Sequence, residues 1–103
     1  MTKKIVFIDD DELILKSWEM SAQNKEIELH TFKSISDFLA QNFSKDLTIY
    51  IDSNLGDDLK GEVESEKLFK AGYNELFLAT AHDPDMIDKP AWIKAFVGKR
   101  FPY

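Results

Sequence analysis

An α/β fold, a doubly wound five-stranded parallel sheet with helices on both faces, is what this sequence predicts, and three observations predict it. Short apolar runs rich in Val, Ile and Phe alternate with amphipathic stretches along the 103 residues, which is the pattern of repeated βα units. Three of the runs are apolar nearly throughout, as strands covered on both faces are. Eight Phe, three Tyr and two Trp in a chain that is 44% hydrophobic can fill one core, and the length is too short for two ordinary domains, so residues 1–103 are read as one.

Taken in order, Lys4 to Ile8 is the first strand and ends in Asp9-Asp10-Asp11. Asp11 can cap the helix that follows, where Leu13, Ile14, Ser17, Trp18 and Ser21 share one stripe at helical spacing. Ile27, Leu29 and Thr31 alternate with Glu26, Glu28 and His30, as in an edge strand with one wetter face. Ser34 with Asp37 three residues on opens a second helix that turns Ile35, Phe38 and Leu39 inward. Leu47 to Ile51 and Leu76 to Ala79 are the other two central strands. Between them a third helix runs from Glu62 to Ala71, with Glu66 and Lys70 one turn apart, and stops at Gly72, where a left-handed residue is easiest for glycine. Asp83-Pro84 starts a fourth helix that Pro90 cuts short, Trp92 to Val97 is the last strand, and only a short tail follows, with no fifth helix.

Composition narrows the functions. The 19 acidic and 13 basic side chains leave a net charge of −6, which opposes binding to nucleic acid or to anionic lipid. The absence of cysteine excludes thiolate catalysis, thiolate zinc sites and disulfides, and fits a reducing, cytoplasmic setting. Lys3 and Lys4 precede an apolar run of only four residues, too short for a signal-peptide core or a membrane span.

Right-handed crossovers place the ligand site of such a sheet at the carboxyl ends of its strands. Asp9, Asp10 and Asp11, then Asp52, Thr80 and Lys99, all fall on that rim. Two carboxylates about 4 Å apart repel by roughly 4 kcal/mol at an effective dielectric near 20, and a cation relieves that repulsion. Oxygen donors without Cys, and without His at ligand spacing, favour a hard ion such as Mg²⁺. A carboxylate beside Mg²⁺ can accept a phosphoryl group, with the Thr80 hydroxyl and the Lys99 ammonium as donors to its oxygens. Any one Asp at a strand end is ordinarily a turn former or a cap; the joint placement on four strand ends is what a purely structural reading explains badly.

From Lys4 to Phe101 the chain resembles the receiver domain of bacterial two-component response regulators. The resemblance is carried by Val6-Phe7-Ile8-Asp9-Asp10-Asp11, Ile49-Tyr50-Ile51-Asp52-Ser53-Asn54-Leu55, Leu78-Ala79-Thr80-Ala81 and Phe96-Val97-Gly98-Lys99-Arg100-Phe101. It implies a flavodoxin-like sheet of order 2-1-3-4-5, with Asp52 as phosphoacceptor. Asp10, Asp52 and the backbone carbonyl of Asn54 would be direct Mg²⁺ ligands, and Asp9 would hold the ion through water. Thr80 and Lys99 would contact the phosphoryl group, and Phe96 stands where the family carries an aromatic that reorients with Thr80. The implied partner is a sensor histidine kinase or a phosphotransfer protein, and the implied role is signalling, with no chemistry beyond gain and loss of the phosphoryl group. Asn54 and His82 occupy positions that modulate dephosphorylation in the family.

The chain departs from the family pattern in three respects. Arg100 replaces the Pro that usually follows the lysine, the Asp52–Gly61 loop is slightly longer and the Thr80–Lys99 segment shorter, and the fifth helix is missing. The missing helix predicts bare apolar surface near Trp92, Phe101 or Tyr103, to be covered by a homodimer, by a partner, or by the tail folding back. Two other functions compete. A phosphorylation-independent receiver-like adaptor fits Arg100 and the lost helix. A haloacid-dehalogenase-like phosphatase would use Asp9 as nucleophile, Asp11 as general acid and Thr80, but lacks that family's downstream lysine and acidic pair.

Overall fold

The structure, a computed structural model, describes residues 3–56, 59–80 and 89–103. Five strands, β1 (Lys3–Ile8), β2 (Ile27–Phe32), β3 (Thr48–Asp52), β4 (Glu75–Ala79) and β5 (Ala95–Val97), form one sheet of order β2-β1-β3-β4-β5. Every pairing is parallel, and Ile8 lies opposite Ile51 and Asp52 opposite Ala79, so the strand ends are level along one rim. The predicted sheet order is the observed one.

Period-two alternation divides the core between the two faces. Val6, Ile8, Ile49, Ile51, Leu76 and Leu78 point to one side, where they meet Ile35 and Phe38 of α2 (Ile35–Leu39), Leu68 of α4 (Glu66–Lys70), Tyr73 and Ile93. Ile5, Phe7, Tyr50 and Ala79 point to the other, against Leu15 and Trp18 of α1 (Glu12–Gln23). Asp11 caps α1 by accepting from the Leu13 N–H, and Ser34 caps α2 through the Asp37 N–H, both as the sequence predicts.

Several local expectations need correcting. The buried stripe of α1 is Leu15, Trp18 and Ala22; Leu13, Ser17 and Ser21 face solvent, because the helix rotates to seat Trp18 over Phe7 at 3.9 Å between ring centroids. Leu39 is also exposed, α2 ending as it passes the core. The single third helix is two short ones, α3 (Gly61–Glu64) and α4, joined at buried Ser65. There the Ser65 hydroxyl bonds back to the Glu62 carbonyl at 3.2 Å and accepts from the Trp92 indole N–H at 2.8 Å, a side-chain competition that loosens helices. The far end behaves as predicted: Gly72 takes φ +105°, with Tyr73 N–H on the Leu68 carbonyl and Gly72 N–H on that of Phe69. The last strand begins at Ala95 rather than Trp92, since the Ile93 N–H closes a turn on the Pro90 carbonyl. The short helix expected after Asp83, together with His82, lies outside the described residues.

No helix follows β5 among the described residues. The tail folds back over the α1 face instead: Phe101 meets Trp18 edge-on at 5.4 Å, and the Tyr103 hydroxyl pairs with that of Tyr50 at 2.8 Å. Trp92, grouped with these two in the sequence reading, lies on the opposite face, stacked on Phe69 and packed against the core cluster of α2 and α4. No helix among the described residues is long and apolar enough to cross a membrane.

Candidate functional site

At the carboxyl rim, β1 delivers Asp9 and Asp10 and β3 delivers Asp52. One carboxylate oxygen from each lies within 4.8 Å of the others. Asp9 is fully buried: its N–H donates to the Phe32 carbonyl, its Oδ1 accepts from the Asp11 N–H at 2.9 Å, and its Oδ2 accepts from Lys99 Nζ at 3.2 Å. Asp52 is buried too and accepts from the same ammonium, while Asp10 is exposed at the mouth. Lys99 thus spans two strands' carboxylates. Among the described residues no peptide bond is cis, so the ammonium reaches both with a trans Lys99–Arg100 linkage.

Electrostatics follow from this packing. Burial pushes the Asp9 carboxyl up to about 6; the Asp11 N–H opposes that rise, Asp52 adds to it, and Lys99 again opposes it. Three carboxylates against one ammonium leave an excess of negative charge around oxygen donors alone, which suits a hard divalent cation such as Mg²⁺.

The loop after β3 is built around the acids. Gly56 takes φ +83°, and a Cβ there would come 2.8 Å from Asp10 Oδ2. Gly61, at the start of α3, sits so close that a Cβ would lie 1.8 Å from the Asp52 carbonyl oxygen. Asn54 bridges to Lys60, but the flanking hydrogen bonds run from Gly61 N–H to Ser53 O and from Leu55 N–H to Leu59 O. The bridge therefore does not consume the Asn54 carbonyl. The side chain of Asn54 accepts from the Gly56 N–H and stiffens the turn.

Thr80 follows β4, buried, with its N–H on the Val97 carbonyl at 2.9 Å and its Oγ1 accepting from Ser53 Oγ at 3.1 Å. Phe96 is half-buried on β5 opposite Leu78, packed against the core cluster of α2 and α4. Asp9, Asp10, Asp52 and Lys99 therefore converge, Thr80 meets Ser53, the residue after Asp52, and Phe96 stands one strand position before Val97, the residue that anchors Thr80. Asp11 spends its carboxylate on the α1 cap. Sequence reasoning assigned no site role to Ser53, Gly61 and Trp18. Ser53 is polar beside Asp52, a weak signal; Trp18 reads as a core residue, and its bond to the Lys99 carbonyl at 2.8 Å spans 81 positions that no local pattern connects.

A five-stranded parallel sheet in this order, with an acidic cluster and a lysine at its carboxyl rim, is the architecture of response-regulator receiver domains, and solved structures bear out the fold. A CheY-like response regulator receiver domain from Methanospirillum hungatei JF-1 matches over 100% of this chain and 84% of its own, with TM-score 0.75 and 22% identity. The BeF3-activated receiver domain of DrrB matches over 100% of this chain and 87% of its own, with TM-score 0.71 and 25% identity. A structure of DrrB from Thermotoga maritima, an OmpR/PhoB homolog, matches all of this chain with 47% of its own, at TM-score 0.67 and 24% identity. No family model matches the chain, and no curated protein matches it.

Proposed function

We propose that the chain is a phosphoacceptor receiver of a two-component phosphorelay, in which Asp52 accepts a phosphoryl group from a phosphohistidine on a sensor kinase or phosphotransfer protein. The observation that carries this reading is the convergence of Asp9, Asp10 and Asp52 with Lys99 bridging two of them. An oxygen of the Asp52 carboxylate attacks phosphorus as the phosphorus–nitrogen bond breaks, its electron pair leaving with the imidazole; water later attacks phosphorus and returns the carboxylate and inorganic phosphate.

Asp9, Asp10, Asp52 and the Asn54 carbonyl would hold Mg²⁺, which when bound offsets charge on the phosphoryl oxygens. The Lys99 ammonium, already at Asp52, is placed to shift onto one of those oxygens. The Thr80 hydroxyl, whose oxygen accepts from Ser53, would donate to another of those oxygens, and its backbone link to Val97 would carry the movement toward Phe96 and the face around β5.

The test is intact-mass measurement of wild type and Asp52→Asn with phosphoramidate, with and without Mg²⁺. One phosphoryl group should add to the wild type only with Mg²⁺, and none to the variant. Addition that persists in Asp52→Asn and is lost in Asp9→Asn would favour the phosphatase reading, and no addition at all the adaptor.

A further inference from the structure

The Lys99 side chain does its work 81 positions from the residue that holds its backbone. The last ladder bond on this side of the sheet is Thr80 N–H to the Val97 carbonyl, and the next residue, Gly98, is exposed, with open space where a Cβ would stand. Strand β5 ends at Val97, so an exposed glycine separates Lys99 from the sheet. The next anchor is the Trp18 indole N–H, which donates to the Lys99 carbonyl at 2.8 Å. Trp18 is itself immobilised, fully buried, stacked on Phe7 at 3.9 Å and met edge-on by Phe101 at 5.4 Å. The N-terminal end of the same helix holds the other partner, because the N–H of its cap residue Asp11 donates to Asp9 Oδ1. Helix α1 thus grips both ends of the Asp9–Lys99 pair, one through a backbone N–H and the other through an indole.

We infer that Trp18 is a positioning residue for Lys99, its indole N–H fixing the lysine backbone so that the ammonium spans Asp9 and Asp52. The consequence for phosphoryl transfer rests on the phosphoacceptor reading; the placement of the ammonium does not. Trp18→Phe keeps an aromatic ring on Phe7 and deletes the donor together with part of the bicycle. The ammonium ¹H–¹⁵N signal of Lys99, protected by its ion pairs in the wild type, should exchange about tenfold faster in Trp18→Phe, the value of one net hydrogen bond. Phosphorylation of Asp52 by phosphoramidate with Mg²⁺ should slow by about the same factor. Combining Trp18→Phe with Lys99→Ala should slow it no further than Lys99→Ala alone, whereas a merely structural role for Trp18 would add its loss in both backgrounds. Should Trp18→Phe fail to fold, benzothienylalanine at position 18 keeps the bicyclic shape and still lacks the N–H. Unchanged ammonium exchange in the donorless variant, or full additivity in the double variant, would overturn the inference. A wild type that takes up no phosphoryl group would sink the functional reading, and ammonium exchange alone would then decide the role of Trp18.

Discussion

Asp9 is buried without enough positive charge to neutralise the site, and that has a measurable cost. Its carboxyl is raised from 3.8 to about 6 in the folded protein, chiefly by burial, so the folded state favours the protonated acid more than the unfolded chain does. Above pH 6 both states are ionised and folding bears the penalty; as pH falls through 6 toward 4 the folded protein takes up the proton and the penalty disappears. Asp9→Asn, which removes the charge and keeps the shape, should therefore stabilise the metal-free protein at pH 7.5 by about 1–3 kcal/mol in urea unfolding, and by progressively less down to pH 4.5. A gain independent of pH would contradict this origin. At Gly61 the constraint is steric: any Cβ would overlap the Asp52 carbonyl, so Gly61→Ala must displace the start of α3 or the end of β3. We expect a loss of about 3 kcal/mol or more by the same measurement, together with a weaker response to Mg²⁺.

At the scale of elements, the junction of α3 and α4 shows how one side chain ends a helix that propensity would continue. The Ser65 hydroxyl donates to the Glu62 carbonyl and accepts from the Trp92 indole, tying the break to the turn before β5. Ser65→Ala strands the Trp92 N–H in a partly buried site, and we expect a cost of about 1–2 kcal/mol. In Ser65→Gly the same partner is lost, so calorimetry should show no rescue. Helix α1 illustrates the opposite case, a regular helix whose rotation is set from outside. Its apolar residues do not define one stripe, since Leu13 and Met20 stay exposed while Leu15 and Trp18 are buried. What decides the rotation is the fit of the indole between Phe7, Tyr50 and Phe101.

For the whole molecule, the decisive feature is the cover of the α1 face. Tyr50 stacks on Phe77, and the tail closes over this face with Tyr103 against Tyr50 and Phe101 against Trp18, with Lys3 Nζ 5.5 Å above the Tyr103 ring. Burial, reinforced by the bond to Tyr103, holds the Tyr50 phenol above the ordinary tyrosine range. Phe101→Ser with Tyr103→Ser should uncover this surface, lower stability by about 1–3 kcal/mol and raise both dye binding and concentration-dependent light scattering. Unaltered scattering and dye binding would mean that the tail covers little.

Much of this was legible in one dimension. Continuous apolar runs, the capping residues Asp11 and Ser34, and Gly72 announce their roles within a few residues, because burial period, cap chemistry and φ > 0 are local demands. The rim acids, Thr80 and Lys99 followed from where those runs end, since parallel crossovers bring strand ends to one edge. Local pattern was silent on contacts that depend on three-dimensional closure: the rotation of α1, the break at Ser65, the close approach of Gly61 to Asp52, the tail over Tyr50, and the indole of Trp18 on the Lys99 carbonyl. Each joins residues that are not neighbours in any repeat, and each is settled by which side chain fills the space that the sheet and its helices leave. Sequence alone determined which acids and which lysine share the rim; the tertiary structure decided how they are held there, because distance and burial, unlike periodicity, exist only once the chain has closed on itself.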